Sequence, residues 1–302
     1  MDHKLILFDR VEMIRTVITK YQEENFYLAF SGGKDSLVVH HLLDLALPGN
    51  QIPRVFINTG IEYDSLVELV KTMAKADKRF RIYPAGVNIA QMLEKKGYPF
   101  KSKEHSRRLK TFQLSGLCKS VQSYLTGLRG DNKASKFICP SVLKYQFDEG
   151  FNIKVSDDCC NQLKKNPSRR YEREFRKPIR ITGLRTAEGG QRANRTECVV
   201  LDAKTGKLKN FKPINPCNDE FIDWFIEEQG IKLCELYYPP FNFKRTGCKG
   251  CPYSIEIQEQ LTLMEMYLPN ERKQCERVWE PVYKEYRRLG YRLDKDEQLK
   301  LF

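Results

Sequence analysis

Tyr27-Leu-Ala-Phe-Ser-Gly-Gly-Lys-Asp-Ser-Leu-Val-Val39 decides the fold, because an apolar run enters the hexapeptide SGGKDS and a helical pattern leaves it. Phe26 to Phe30 is short, aromatic and apolar, as a buried parallel strand requires, while Leu37, Val38, Leu42, Leu43 and Ala46 recur at helical spacing. Between them, Gly32 and Gly33 put no side chain in the way of an approaching phosphate. Glycine also accepts the positive φ angles that turn several N–H groups toward one point, and the following helix adds the positive end of its dipole. Ser31 and Ser36 offer hydroxyls and Lys34 a cation, so the expected guest is an anion. The competing reading is a plain strand-to-helix turn that uses glycine for geometry alone. The spacing is neither the GxxxxGK(S/T) of the common P-loop nor the GxGxxG of a dinucleotide site.

Outward from this stretch, strands and helices alternate. Val11, Met13, Ile14, Val17, Ile18 and Tyr21 form an amphipathic stripe before the first strand. Arg54–Asn58 reads as a second buried strand, followed by a helix marked by Leu66, Val67, Leu69, Val70 and Met73. Phe80–Tyr83 reads as a third strand, with a short helix over Val87–Lys96, and Pro178–Thr182 as a fourth. Such alternation predicts an α/β, Rossmann-like, doubly wound and mainly parallel sheet, with ligands at the carboxyl ends of its strands. The α/β domain is predicted over 1–215, interrupted by an irregular basic insertion at about 97–155. A C-terminal helical region follows over 216–302: Asn218-Asp-Glu starts one helix, and further helices run from Ile255 to Tyr267 and from Glu271 to Leu289. The charged tail Asp294–Phe302 is expected to be loosely held.

Of the 302 residues, 52 are Lys or Arg against 39 Asp or Glu, a formal charge of +13 that calls for an anionic partner without separating a nucleotide from a nucleic acid. The basic runs at Lys101–Lys110 and Lys164–Lys177 read either as solvated faces or as nucleic-acid contacts. No run of about twenty apolar residues exists and the N-terminus lacks a secretory pattern, so a cytoplasmic location without membrane contact is expected. Ten cysteines then point to metal or redox chemistry rather than to disulfides. Two pairs stand out: Cys159-Cys160, and Cys248 with Cys251 in RTGCKGCPY. A CxxC pair offers two thiolates to one metal from a tight turn, and a second pair completes four ligands. An iron-sulfur cluster, a zinc site and unliganded small apolar residues are the three readings, and adjacent cysteines suit the usual zinc knuckle poorly. Cys217, just before a helix N-cap, reads as a buried structural thiol or as a nucleophile. His40 and His41 are placed toward solvent with no role, and His105 is left outside the site.

Together SGGKDS, the Asn58-Thr-Gly-Ile-Glu62 turn, CC followed by LKKNP, IRITGLRTAEGGQR and GCKGCP resemble, in this order, the phosphoadenosine phosphosulfate (PAPS) reductase family of the adenine nucleotide alpha hydrolase, or PP-loop ATP pyrophosphatase, superfamily. The matches run from about residue 26 to 253. The resemblance implies that Ser31, Gly32, Gly33, Asp35 and Ser36 hold phosphates and that Thr59 and Glu62 line the nucleotide pocket. It implies that Lys34 and Asp35 act at the phosphates, that Arg185 and Arg192 clamp the anionic end of the substrate, and that Cys159, Cys160, Cys248 and Cys251 hold a 4Fe-4S cluster. Guanidinium groups suit the clamp because they fork onto phosphate or sulfate oxygens; surface ion pairing, with Glu188 for example, is the alternative.

Reductases of this family carry a nucleophilic cysteine in a Glu-Cys-Gly-Leu-His tail, whereas this sequence has no cysteine after Cys275. Its complete SGGKDS is closer to the ATP-splitting relatives. The expected activity is therefore ATP-dependent adenylation of an acceptor followed by sulfur transfer, with ATP as substrate, Mg2+ beside it, a nucleic acid as candidate acceptor and a sulfur donor such as a cysteine desulfurase. Reduction of adenylyl sulfate or PAPS through an unusual thiol, and a non-catalytic nucleotide or nucleic-acid sensor with a structural cluster, are the alternatives. Oligomeric state stays open, a homodimer being one option.

Overall fold

The computed structural model describes residues 2–131, 133–189 and 193–295. In chain order the helices are α1 (His3–Tyr21), α2 (Lys34–Ala46), α3 (Asp64–Ala76), α4 (Ile89–Lys96), α5 (Lys103–Ser115), α6 (Lys119–Thr126), α7 (Asn166–Glu174), α8 (Asp219–Glu228), α9 (Ile257–Tyr267) and α10 (Pro269–Leu289). The strands are β1 (Phe26–Phe30), β2 (Arg54–Asn58), β3 (Phe80–Pro84), β4 (Ile179–Ile181), β5 (Val199–Leu201) and β6 (Leu208–Phe211). The chain divides into two compact units, one of residues 1–58, 62–85 and 166–247, the other of residues 59–61, 86–165 and 248–302.

The first unit is the Rossmann-like α/β body. Its six strands run in the order β3-β2-β1-β4-β6-β5, parallel except for the β5–β6 pair. Leu28 of β1 lies opposite Arg54 of β2 on one side and Ile181 of β4 on the other. From β1 the chain winds outward to β2 and β3, then returns to β4 on the other flank. The carboxyl ends of β1 and β4 are thus the switch point where such sheets bind ligands, and the SGGKDS loop leaves β1 there. One apolar core joins Ile14, Val17 and Ile18 of α1, Leu37, Val38 and Leu42 of α2, Phe221, Ile222 and Phe225 of α8 and the sheet residues Phe26, Leu28 and Ile181.

The four predicted strands form over the expected residues. The β5–β6 hairpin was not anticipated: each arm is only three or four residues long, although Val199-Val-Leu and the turn residues Lys204-Thr-Gly206 between them carry its signal. His40, expected toward solvent, is instead buried, and its Nδ1 accepts a 3.2 Å hydrogen bond from Arg54 Nε. Arg54, placed on β2 with no solvent exposure, also needs the Asp44 carboxylate at 2.7 Å and Asn50 Oδ1 at 2.7 Å, and this requirement turns the α2 face inward.

In the second unit the stretch expected to be irregular forms α5 and α6. The apolar period was missing because α5 buries Glu104, His105 and Ser106 beside Leu109. His105 is fully buried between Tyr124 Oη at 3.0 Å and Gln146 Oε1 at 2.8 Å, a satisfied core histidine. Helices form near the residues expected for them in the C-terminal stretch, α9 over Ile257–Tyr267 and α10 over Pro269–Leu289, with Pro269 opening α10 and Gly290 closing it in the left-handed region. The end of the charged tail, 296–302, lies outside the described residues. Among the described residues no helix is long and apolar enough to cross a membrane.

Candidate functional site

The phosphate loop is built by its own side chains. Gly32 sits at φ +74°, and a Cβ there would come within 2.8 Å of Leu66 Cδ1 on α3, so conformation and space both demand glycine. Gly33 caps α2, its carbonyl accepting from Ser36 N at 3.0 Å and Leu37 N at 3.1 Å. Ser36 Oγ donates to the same carbonyl at 2.8 Å and accepts from Ser31 N at 3.2 Å, while the two serine hydroxyls lie 3.1 Å apart. Ser36, buried, therefore ties the loop shut. The N–H groups at the start of α2 remain the natural anion donors.

One of these donors is engaged by a residue that sequence reasoning missed. Lys34 N donates to Tyr237 Oη at 3.1 Å, and that hydroxyl lies 3.0 Å from Thr246 Oγ1. A Cβ on Gly33 would meet the same two oxygens at 3.1 and 3.2 Å. A polar pair thus faces the loop at the end of the helix dipole, and burial raises the Tyr237 phenol above its usual range, keeping it protonated.

Charge at the loop is internally matched. Arg185, 3% exposed, forks from the segment after β4 onto Asp35 Oδ1 at 2.8 Å and Asp219 Oδ1 at 2.7 Å, with Cys217 O at 3.3 Å from its third nitrogen. Lys34 Nζ lies 3.2 Å from Asp223 and 3.8 Å from Asp219. Burial pushes the Asp35 carboxyl above its usual range even beside Arg185. Gly183 lets β4 reach this corner, since a Cβ there would lie 2.9 Å from the Asp35 carbonyl carbon. The structure therefore gathers Lys34, Asp35 and Arg185, adds Asp219 and Asp223 from α8, and turns Arg185 onto carboxylates. Thr59 and Glu62, which follow β2, are both buried. Arg192 lies outside the described residues. Cys217 is buried and its thiol is pushed up to about 12 by that burial, which fits the structural reading rather than a nucleophile.

All four paired cysteines belong to the second unit. Cys159 and Cys160 precede a π-helical turn at Asn161–Lys165, and their sulfurs are 4.0 Å apart. The hydrogen bond to Cys160 and burial push Cys159 up, with the thiols of Cys251 and Cys248 adding to it; the same hydrogen bond pulls Cys160 down, helped by Lys103, Lys164 and Lys165. Burial and the neighbouring Cys248 push Cys251 up to about 12. Among the described residues no three His, Cys, Asp or Glu side chains are set to hold a single metal ion. The donor set nonetheless fits an iron-sulfur cluster in its chemistry: four thiols, electrostatic neighbours of one another, with cations beside them to offset thiolate charge.

The CxxC turn is clamped from α10. Trp279 Nε1 donates to Lys249 O at 3.1 Å, Tyr283 Oη to Gly250 O, and Tyr286 Oη to Pro252 O at 2.9 Å. The spacing 279, 283, 286 puts all three donors on one helix face, a pattern visible in the sequence. Gly250, at φ +60°, has no room for a Cβ, which would fall 2.7 Å from Cys275 Sγ. Lys249 and Glu271, both buried, pair at 3.0 Å.

The family described as the phosphoadenosine phosphosulfate reductase domain matches residues 25–145 and 140–254. An uncharacterized protein of Methanocaldococcus jannaschii is 25% identical over 311 residues, covering 97% of this chain and 57% of that protein, so the chain spans little more than half its relative's length. Similar solved structures include a phosphoadenylyl-sulfate (PAPS) reductase from Candida auris in a phosphate complex, at TM-score 0.43, 15% identity, 79% of this chain and 93% of that one. Another is the U34-tRNA thiolase NcsA from Methanococcus maripaludis with its 4Fe-4S cluster, at TM-score 0.42, 15% identity, 93% of this chain and 79% of that one.

Proposed function

The chain belongs to the phosphoadenosine phosphosulfate reductase domain family, and from that premise we propose that it uses ATP to adenylate an acceptor oxygen and then replaces that oxygen with sulfur, the acceptor being a nucleic acid. The observation that carries this reading is the complete SGGKDS loop at the switch point, leading into α2 with the Lys34 N–H directed at the Tyr237 hydroxyl. In the first step the acceptor oxygen attacks the α-phosphorus, the bond to the β-phosphate breaks, and pyrophosphate leaves with the electron pair. In the second, sulfur at the sulfide level, released as hydrosulfide by a donor protein, attacks the adenylated carbon, the carbon–sulfur bond forming as the carbon–oxygen bond breaks, and AMP departs with that oxygen and the electron pair.

Ser31 and Ser36 hold the loop in shape, and the N–H groups at the start of α2 together with Lys34 neutralise the growing charge on pyrophosphate. Arg185 holds Asp35 and Asp219 of α8 in register, and the family resemblance assigns Thr59 and Glu62, in the turn after β2, to the nucleotide. Mg2+ would be carried mostly by phosphate oxygens. Cys159, Cys160, Cys248 and Cys251 would hold a 4Fe-4S cluster, which with all four irons so ligated would supply an electron-transfer centre and a cross-link between the two cysteine pairs. Reduction of a sulfonucleotide through Cys217 is disfavoured, because that thiol is buried and stays protonated near neutrality.

Calorimetric titration with ATP, adenylyl sulfate and PAPS, using Asp35→Asn as control, tests the reading. Preferential ATP binding weakened in the variant is expected; preference for either sulfonucleotide would replace adenylation by reduction.

A further inference from the structure

The positive charge of the chain falls mainly in two stretches, residues 164–212 with fifteen Lys and Arg against five Asp and Glu, and residues 86–147. Between residues 86 and 147 stand twelve Lys and Arg against three Asp and Glu, whereas residues 248–302 carry ten of each. Of the three acids, Glu104 is buried and paired with Arg107 and Arg108, and Asp131 lies 3.4 Å from Lys133. After α6 the chain reverses through a bridge between Leu128 and Ala134, held by Arg129 N to Lys133 O at 2.8 Å and Ser135 N to Gly127 O at 2.7 Å, and Cys139 N ties the return to Tyr124 O at 2.8 Å.

This arm exposes two kinds of side chain together. Lys119, Arg129, Lys136 and Lys144 are exposed cations, and Phe137, Ile138, Leu128 and Val142 are exposed apolar groups at 38, 57, 50 and 44%. Lys136 Nζ lies 5.7 Å from the centre of the Phe137 ring. Cations alone would serve any polyanion. Exposed apolar groups among them gain nothing from a duplex, whose bases are stacked inside, but offer a platform to bases already unstacked.

We propose that the arm formed by residues 119–131 and 133–144 is a docking surface for single-stranded nucleic acid, with Lys119, Arg129, Lys136 and Lys144 on backbone phosphates and Phe137 stacked on a base. The assignment deepens the acceptor class of the proposed function and rests on that reading. It places recognition of the acceptor strand on the second unit.

The test uses the full chain and fluorescent unstructured 20-nucleotide RNA and DNA strands, a matched duplex, polyglutamate and phosphatidylserine vesicles, with ATP titrated in parallel. The wild type should bind a single strand at least tenfold more tightly than the duplex, and the RNA and DNA arms identify the acceptor's sugar. Arg129→Ser/Lys136→Ser/Lys144→Ser should weaken single-strand binding at least tenfold and flatten its logarithmic salt dependence by about 2, near 0.7 per lost phosphate contact. Phe137→Ala should weaken it about tenfold with the salt slope unchanged, as expected for a lost stack. Equal or stronger binding of duplex, polyglutamate or vesicles would overturn the assignment, as would unaltered strand binding in both variants. ATP bound normally with no strand bound would reject this surface and leave the adenylation chemistry standing; failure of ATP itself to bind the wild type would reject the function on which the surface rests.

Discussion

Tyr237 accepts, with its hydroxyl, the Lys34 N–H, a donor that the proposed function assigns to phosphate. Replacing it with Phe removes the oxygen 3.1 Å from Lys34 N without disturbing the ring's packing. A net hydrogen bond is worth about 0.5–1.5 kcal/mol, so Tyr237→Phe should tighten ATP or pyrophosphate binding about two- to tenfold in calorimetry. Weaker binding would mean that the hydroxyl stays beside the bound phosphate as a donor. A second residue gives a pH signature. Burial and the charge of Arg54 push the His40 imidazole down to about 4, so the unfolded chain, near 6.5, binds a proton more readily than the folded one. The stability His40 contributes is fully present above about pH 6.5 and is lost as pH falls through about 4, a total of about 3 kcal/mol. Urea unfolding of the wild type between pH 7 and 4 should show this loss, and His40→Gln should be flatter over the same range; parallel curves would contradict the assignment. What the sequence disclosed at this scale was the loop itself, since Gly, Ser and Lys at fixed spacing carry their chemistry locally. Tyr237, Thr246, Asp219 and the inward turn of His40 were hidden because each acts through a partner far along the chain. Arg185 shows the same limit: its type announced an anion partner, and only folding shows that carboxylates occupy it.

Among elements, the CxxC turn and α10 form a unit in which three side chains on one helix face grip three backbone carbonyls. Tyr283→Phe leaves the Gly250 carbonyl buried without its donor, a loss of about 1–3 kcal/mol concentrated on the turn that presents Cys248 and Cys251. In protein stripped of any cluster, alkylation of these two cysteines should be faster in Tyr283→Phe than in the wild type, while Cys217 in the other unit should react as before. Equal rates would show that the turn keeps its shape without the ladder. The α/β alternation was legible because parallel strands are short apolar runs bounded by turns, and β1 and β2 emerged with their expected limits. α5 was not, because its inward face is Glu104, His105 and Ser106, and a helix that buries polar groups satisfied by neighbours shows no apolar period.

On the scale of the whole molecule, the sheet with its phosphate loop belongs to one unit and all four paired cysteines to the other. Ligands of the two sites should therefore stabilise different parts of the chain, because a group that binds only folded structure protects the unit that holds it. Hydrogen exchange separates the two effects. ATP should slow exchange at the start of α2 and along β1 and β4, where the loop donors are held. Oxidative removal of a cluster should leave those amides unchanged and speed exchange at residues 248–254 and along the Trp279–Tyr286 stretch of α10, since the turn would then keep its ladder and lose its metal links. If loss of the visible absorption of the cluster left the 248–254 amides as protected as before, Cys248 and Cys251 would not be its ligands. If protection were lost equally in β1 and in α10, the two units would fold as one, and nucleotide and cluster would report on each other through stability alone.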